Sequence, residues 1–334
     1  MTPALRKQRL TATLHSEPFR PAHGLSNPHA QTVFAPAMRP TTKVGFLPER
    51  WSTPDDDFLR VFVAEGAPEA PVVVLIHGLE GSVESSYVPG IASLVHRRGS
   101  TVVAYEQRGC GGEMNRAKRL YHSGLTDDIA YVARRVCTRW PDRRIYVAGV
   151  SLGGNQLAKW LGTEAVPDAV RAAAIISPPF DLTISGPHMD HRMWIYVRHF
   201  LRTLIPKALE KSEQYPGVLD NAKIAQAKTF AEFDTHATAA LHGFRDALDY
   251  YQRVSCGQFL GEISVPTLVI ASEDDPFNPG ETIPRRVVAS SDHLIGLFPP
   301  LGGHVGFVSG LMHRPQYWAE ERCAQFFELC RLLD

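Results

Sequence analysis

The 334-residue sequence lacks the cysteine patterns of zinc-binding and disulfide-linked proteins. It has only five cysteines, an odd number, and no Cys-x-x-Cys pair. Zinc sites and disulfide frameworks normally show close, paired cysteines. The fourteen histidines are scattered, and the metalloprotease motif His-Glu-x-x-His is absent. We therefore expect free thiols in a reducing compartment and no metal site.

Net charge, long apolar runs and nucleotide-binding loops are also missing. The 35 basic residues balance 35 acidic ones, so there is no positive surplus to attract nucleic acid. No run reaches the roughly 18 uninterrupted apolar residues that span a bilayer. The basic N-terminus shows no secretory signal, which predicts cytoplasmic localisation. The glycine cluster Gly109–Gly112 lacks the GxGxxG spacing, and no GxxxxGK[ST] loop occurs, so no cofactor is expected.

Short apolar runs alternate with helix-like segments through most of the chain. The runs predict strands at Val72–Ile76, Thr101–Tyr105, Ile145–Ala148, Ala172–Ile176, Thr267–Ile270 and Leu294–Phe298. Most are continuously apolar, as in strands covered on both faces. Asp56–Ala64 is predicted to be an earlier, antiparallel edge strand. Leu125, Ile129, Val132 and Val136 recur at helical spacing. This alternation predicts an α/β fold with a mostly parallel central sheet and helices on both faces.

The region from Asp181 to Ile263 breaks this alternation because it contains no convincing core strand. A helix is predicted at Met189–Ile205, ended by Pro206, which could also begin a second helix. Its apolar stripe is formed by Trp194, Val197, Leu201, Leu204 and Ile205. We interpret residues 181–263 as a helical cap inserted into a core of residues 51–180 and 264–334. Residues 1–50 are predicted to form an N-terminal arm that packs on this core.

The candidate nucleophile is Ser151, in the sequence GVSLGG at 149–154. It follows the predicted strand Ile145–Ala148 and precedes a helix-prone segment. This is the GxSxG motif in its strand–turn–helix context, where a sharp turn exposes the serine above the sheet edge. Small residues two positions before and after the serine avoid collisions in this turn. A serine hydroxyl becomes a useful nucleophile only when a base removes its proton, and that base needs a carboxylate to orient it.

Both partners follow the serine in the order that this motif requires, acid and then histidine. An acidic cluster with Asp274 and Asp275 follows the predicted strand Thr267–Ile270, and His304 lies among glycines after Leu294–Phe298. We predict Ser151 as nucleophile, His304 as base and Asp275 as orienting acid. Asp275 is favoured by the turn to Pro279, but the residues leave Asp274 as an alternative.

An acyl-transfer site also needs donors for the oxyanion that develops on the substrate. The backbone N–H of Leu152, the residue after the nucleophile, is the first predicted donor. The second comes from the loop after Val72–Ile76, and we assign it to Leu79. His77 in that loop is interpreted as a structuring residue, and Cys110 as a buried thiol.

The sequence resembles the YheT-like family of α/β-hydrolases. The resemblance rests on these motifs and on several others that are not general features of α/β-hydrolases. The resemblance covers about Pro21 to Phe326 and includes NPHAQT (27–32), HGLEGS (77–82), RGCGG (108–112), YHSG (121–124), GVSLGGN (149–155), FD (233–234), HGF (242–244), YY (250–251), DDPF (274–277) and GGHVGF (302–307). It implies the α/β-hydrolase fold and the same triad. It does not assign a role to the NPHAQT motif, whose residues we expect to pin the arm to the core.

The resulting hypothesis is a serine hydrolase that cleaves carboxylic esters, with an apolar acyl group and a small-molecule ester as its partner. Alternatives are an alcohol O-acyltransferase with the same triad and a non-catalytic, ligand-binding homologue. Contact of the cap with a membrane surface is a further option, because Arg192, Arg198, Arg202, Lys207 and Lys211 lie beside its apolar stripe. We do not expect it, because packing on the core explains the stripe equally well.

Overall fold

The computed structural model describes residues 1–40 and 42–333. Its central feature is an eight-stranded sheet with the strand order β1-β2-β4-β3-β5-β6-β7-β8. Strand β2 is antiparallel to both of its neighbours, and β3 to β8 are parallel. The strands are β1 (Leu47–Ser52), β2 (Phe58–Ala64), β3 (Val72–Ile76), β4 (Thr101–Glu106), β5 (Ile145–Val150), β6 (Val170–Ile176), β7 (Thr267–Ile270) and β8 (Leu294–Leu297).

Helices cover both faces of the central strands, which explains why the sequences of these strands are continuously apolar. One face packs against α4 (Asp127–Arg139) and α5 (Leu152–Thr163). The other packs against α1 (Pro3–His15), α3 (Tyr87–His96) and α13 (Trp318–Leu333). All strand residues of β3, β4, β5 and β7 are buried. The predicted α/β architecture with a mostly parallel sheet is confirmed.

One prediction about the sheet was wrong: the strand predicted at Asp56–Ala64 is antiparallel but does not form the edge. It is observed as Phe58–Ala64, and β1 pairs along its outer side. The sequence of β1, LPERWS, contains a proline and two charges, and most of its residues are exposed. An edge strand tolerates such residues because one of its sides is free of ladder hydrogen bonds.

The segment between β6 and β7 is helical. It contains α6 (Leu182–Arg192), α7 (Trp194–Gln214), α8 (Asn221–Gln226), α9 (Phe230–Phe233), a π-helical turn at Asp234–Ala239, α10 (Ala240–His242), α11 (Ala247–Val254) and 3₁₀ turns at Cys256–Gln258 and Leu260–Glu262. Apolar residues of α6, α7, α8 and α9 form a cluster separate from the sheet core.

The single helix predicted at Met189–Ile205 is two helices, and Pro206 does not end the second one. The break falls at Met193, and α7 then continues through Pro206 to Gln214. Leu204 and Ala208 are buried on either side of the proline, so packing supports the helix where the proline removes a hydrogen bond. Trp194, predicted on the buried stripe, is the first residue of α7 and is 57% exposed.

The remaining elements flank the central sheet. They are α2 (Pro28–Met38), α12 (Arg285–Ser290), a 3₁₀ turn at Gly280–Thr282 and a small antiparallel hairpin of β9 (Val308–Leu311) and β10 (Arg314–Tyr317). Leu10 and Leu14 of α1 are buried in the sheet core. Within the described ranges, no helix combines the length and hydrophobicity needed to cross a bilayer.

Candidate active site

Ser151 occupies a strained turn between β5 and α5. Its backbone lies at φ 54° and ψ −123°, a region that non-glycine residues rarely adopt. A Cβ at Gly149 would lie 2.4 Å from the oxygen of Gly153, and one at Gly153 would lie 2.5 Å from the oxygen of His77. Only glycine fits at both positions. The turn therefore needs the small residues that the motif supplies, and it holds the serine hydroxyl above the sheet edge.

His304 and Asp275 form a hydrogen-bonded relay that ends at Ser151. The Nε2 atom of His304 lies 2.9 Å from Ser151 Oγ, and its Nδ1 atom lies 2.8 Å from Asp275 Oδ2. The Asp275 and His304 side chains are only 2% and 8% exposed. Water therefore screens these two hydrogen bonds little. This geometry matches a hydroxyl that donates to an imidazole whose other nitrogen donates to a carboxylate.

The structure distinguishes the two adjacent aspartates by their contacts. Asp275 contacts His304, and its Oδ1 atom accepts hydrogen bonds from the backbone N–H groups of Phe277 and Asn278. Asp274 instead accepts a hydrogen bond from the N–H of Gly303, the residue before His304. Burial raises the pKa of Asp274. Asp275 therefore has the geometry of the orienting acid, and Asp274 holds the histidine loop.

The N-terminal motif NPHAQT also contacts this loop. Thr32 Oγ1 accepts a hydrogen bond of 2.9 Å from the backbone N–H of His304. Gln31, which is fully buried, accepts from the N–H of Val308 and donates to its carbonyl oxygen. A Cβ at Gly306 would lie 2.4 Å from the carbonyl oxygen of Gln31. Helix α2 therefore packs directly against the backbone that carries His304.

Sequence reasoning gave this motif only a general role in attaching the arm. No sequence signal connects Thr32 with His304, since 272 positions separate them. The helix that brings Thr32 into place begins with a clear local signal, however. Asn27 caps it by accepting from the N–H groups of His29 and Ala30, and Pro28 occupies its first position.

The predicted oxyanion donors, Leu79 and Leu152, line one cavity together with Ser151. Leu152 is the first residue of α5, where backbone N–H groups have no acceptor within the helix. The loop that carries Leu79 approaches Ser151 closely, because a Cβ at Gly78 would lie 3.0 Å from the Ser151 Cβ. The N–H of Gly78 donates to Tyr87 Oη, which fixes the start of this loop.

A buried ionic contact fixes the other end of the Leu79 loop. Glu80 has a positive φ of 53°, and its N–H donates to Tyr121 Oη. Tyr121 in turn donates to Glu80 Oε1, which also accepts a bond of 2.6 Å from Lys207 on α7. The Glu80 and Lys207 side chains are 8% and 15% exposed. This contact joins the helical insertion to the loop that is predicted to bind the oxyanion.

His77 and Cys110 have structural surroundings. Nδ1 of His77 lies 2.8 Å from the Gly78 carbonyl oxygen, and its Nε2 accepts from the N–H of Gln107. Burial lowers the pKa of His77 to about 4, which keeps the ring neutral. Burial also raises the pKa of Cys110 to about 12, so its thiol stays protonated. Neither group contacts the Ser151–His304 pair.

The cavity above Ser151 has a volume of about 780 Å³ and a mostly apolar lining. The lining comes from the core, from α2 and from the helices between β6 and β7. The apolar members of the insertion include Leu182, Met189, Ile195, Tyr196, Phe200, Leu204, Phe230, Phe233 and Leu241. Phe277 lies between this wall and the relay, with its ring stacked on His304 at a centroid distance of 4.3 Å.

Comparison with known proteins agrees with this architecture. Residues 71–311 match the α/β hydrolase fold family. The chain is 37% identical to YheT of Escherichia coli K12, which is named as an esterase, over 92% of both chains. It is 27% identical to the bovine phospholipase ABHD3, covering 78% of this chain and 64% of that protein. The solved structure of the esterase Pf2001 from Pyrococcus furiosus superposes with a TM-score of 0.58 at 14% identity, over 93% of this chain and 97% of that one.

The chain therefore belongs to the α/β hydrolase fold family, in the group that includes YheT. The resemblance predicted from the sequence motifs is confirmed by the match to YheT across nearly the whole chain. Pf2001, at 14% identity, supports the fold alone. The names of the sequence relatives support the predicted enzyme class, a carboxylic ester hydrolase.

Proposed function

We propose that this chain hydrolyses carboxylic esters of apolar acids with Ser151 as nucleophile, His304 as general base and Asp275 as the orienting acid. The observation that carries the proposal is the relay itself. Contacts of 2.8 Å and 2.9 Å connect the three side chains at the floor of an apolar cavity. Residues 181–263 would act as the cap of that cavity, and residues 1–50 as an arm that supports the histidine loop.

In the first step, Ser151 Oγ attacks the ester carbonyl carbon while His304 Nε2 takes its proton. Asp275 stabilises the imidazolium that forms and keeps the ring in the required orientation. The N–H groups of Leu79 and Leu152 would bind the oxygen that becomes negative, aided by the positive end of α5. The tetrahedral intermediate then collapses, and the alcohol leaves with the proton from His304.

In the second step, water attacks the acyl-enzyme. His304 takes a proton from the water, and the new oxygen–carbon bond forms as the Ser151–acyl bond breaks. The serine recovers its proton from His304, and the acid is released. The cavity favours an apolar acyl group because its walls are built mainly from aliphatic and aromatic side chains.

The proposal is tested by labelling with a fluorophosphonate probe and by hydrolysis of a p-nitrophenyl ester series of increasing chain length. The wild type should be labelled and should prefer medium or long acyl chains to acetate. Ser151→Ala should lose labelling and lower kcat by at least about 10⁴-fold. A well-folded wild type that is neither labelled nor active would contradict the proposal.

The neighbouring aspartates provide a matched control for the assigned acid. Asp275→Asn should lower kcat strongly, since it removes the charge that stabilises the imidazolium. Asp274→Asn should have a much smaller effect, because Asp274 accepts from the backbone N–H of Gly303, whereas Asp275 bonds the His304 ring. An equal loss in both variants would contradict the assignment of Asp275.

A further inference from the structure

The cavity has a polar wall on the side of the helical insertion, and two of its polar atoms lack a protein partner. These are Ser185 Oγ on α6 and His242 Nε2 at the end of α10; both are buried, and neither has a hydrogen-bond partner in the described part of the chain. Ser185 is only 2% exposed. Both residues line the same cavity as Ser151. Buried polar groups normally have partners, so a ligand that bonds either of these atoms would gain affinity.

The two atoms belong to one continuous wall. Gly186, next to Ser185, lies against the ring of Tyr251, since a Cβ there would be 2.8 Å from that ring. Beyond Tyr251 the wall is a series of neighbouring rings. The ring centroids of Tyr251 and Tyr250 lie 5.4 Å apart, those of Tyr250 and His122 lie 5.7 Å apart, and those of His122 and His242 lie 4.4 Å apart. The π-helical turn at Asp234–Ala239 lies beside it, and such turns are frequent at functional sites.

This wall lies close to the nucleophile. Gln156 donates a hydrogen bond of 2.8 Å to the carbonyl oxygen of His122, and Asn155 donates one of 2.8 Å to that of Ser123. Both donors belong to the first turns of α5, which begins directly after Ser151. At a rise of about 1.5 Å per residue, the backbone of Gln156 lies about 7 Å along the helix from that of Ser151. Ser151 and the wall also line one cavity, so a substrate group a few bonds from the ester could reach the His122 end of the wall.

The wall provides hydrogen bonds without a free cation. Burial lowers the pKa of His242 to about 4 and that of His122 well below its ordinary value, so both rings are neutral at neutral pH. Among the described residues that line the cavity, Lys207 is the only lysine or arginine, and it is paired with Glu80. The oxygens of Asp234 already accept from Thr238 and Tyr251. A phosphate or carboxylate would find no counter-charge here, whereas a neutral hydroxyl group could both donate and accept.

We propose that this wall, through Ser185 and His242, binds a hydroxyl group and thereby selects neutral esters with a hydroxyl group a few bonds from the ester bond. The inference rests on the proposed ester hydrolysis, which it extends by naming a substrate class. The hydroxyl could belong to the alcohol part or to the acyl part of the ester. Partial esters of polyols and esters of hydroxy acids share this chemistry.

Two pairs of esters with matched chains test the subsite and separate these sources. The first compares 2-hydroxyethyl octanoate with propyl octanoate, which replaces the hydroxyl by a methyl group. The second compares ethyl 3-hydroxyoctanoate with ethyl octanoate. In the wild type, kcat/KM should be about tenfold or more higher for the hydroxylated member of at least one pair, the gain expected when a hydroxyl satisfies buried polar groups. Equal values in both pairs would overturn the subsite.

Variants then locate the preference. His242→Phe keeps a ring of similar shape and should abolish the preference, and the milder Ser185→Ala should reduce it severalfold. His199→Phe is the matched control, since His199 lines the cavity from α7 and should leave the preference unchanged. A preference that survives in both His242→Phe and Ser185→Ala would refute the assignment.

Binding measured by calorimetry in Ser151→Ala separates this proposal from the proposed function. There, the hydroxylated ester of the preferred pair should bind more tightly than its partner, and His242→Phe should remove the difference. Such discrimination without turnover in the wild type would contradict ester hydrolysis but uphold the subsite. Turnover of all four esters by the wild type, with equal affinities within each pair in Ser151→Ala, would uphold ester hydrolysis but contradict the subsite.

Discussion

The contact between Thr32 and His304 makes a sharp prediction about the role of the N-terminal arm. Thr32 Oγ1 accepts the N–H of His304 at 2.9 Å and donates to the carbonyl oxygen of Pro28 at 2.7 Å. Thr32→Val preserves the shape of the side chain but removes both bonds. The N–H of His304 would then lack its partner at a partly buried position.

The magnitude follows from the cost of one unpaired group. Leaving a buried N–H without a partner costs about 1–3 kcal/mol. If the histidine loop relaxes to recover that energy, the imidazole moves relative to Ser151, and small displacements of a catalytic group are costly. We expect kcat to fall by about tenfold to a hundredfold, because 1.4 kcal/mol corresponds to a factor of ten. The midpoint of thermal unfolding should fall by only a few degrees.

The assay is saturation kinetics on a p-nitrophenyl ester, together with the rate of fluorophosphonate labelling. Thr32→Ser is the matched control, because it retains the oxygen and loses only a methyl group, and it should stay close to the wild type. Thr32 also lines the cavity, so a change confined to KM would indicate altered substrate contact. A Thr32→Val protein with wild-type kcat and labelling rate would refute the positioning role.

Two further predictions concern buried charges away from the relay. The buried guanidinium of Arg108 bonds Asp55, Asp57 and Asp128, and Asp55 is also paired with Arg119. Arg108→Met removes the cation that pairs with the buried carboxylates of Asp57 and Asp128, so it should lower the free energy of unfolding by about 3–5 kcal/mol. An unchanged urea midpoint would contradict this. Burial raises the pKa of Asp234 from 3.8 to about 6, so the folded state holds an extra proton between these pH values and its stability falls as pH rises through them. Asp234→Asn has no carboxyl to titrate at this position. The Tm of the variant minus that of the wild type should therefore be larger at pH 7.5 than at pH 4.5. An equal Tm difference at the two pH values would contradict the argument.

The sheet was predictable, and the three relay residues could be proposed, because their signals are local. Each central strand is a short apolar run, and burial on both faces requires such a run. The order of Ser151, the acidic cluster and His304 follows from the order of the strands that precede them. Sequence could not separate Asp274 from Asp275 with certainty, because adjacent residues in a loop point in directions that the backbone alone decides. Their contacts differ completely, one to His304 and the other to Gly303.

The features that sequence missed depend on contacts between distant segments. Strand β1 is stabilised by pairing with β2 and not by its own composition. The hairpin β9–β10 contains a proline and a glycine among only eight strand residues, so it gives little strand signal. Helix α7 passes through Pro206 because its flanking residues pack in the insertion. In each case tertiary packing outweighs local propensity.

Three of the motifs that carry the resemblance share one physical property. Each contains a residue that bonds a residue outside its own motif: Gln31 bonds Val308, Arg108 bonds Asp57, and Asp234 bonds Tyr251 within the insertion. Thr32 of the NPHAQT motif bonds the backbone of His304 directly. We therefore expect that an intact Ser151, Asp275 and His304 is not enough to infer activity in a related chain. The proposed roles of the arm and the insertion predict that both segments must be intact as well, because they contact the histidine loop and line the cavity.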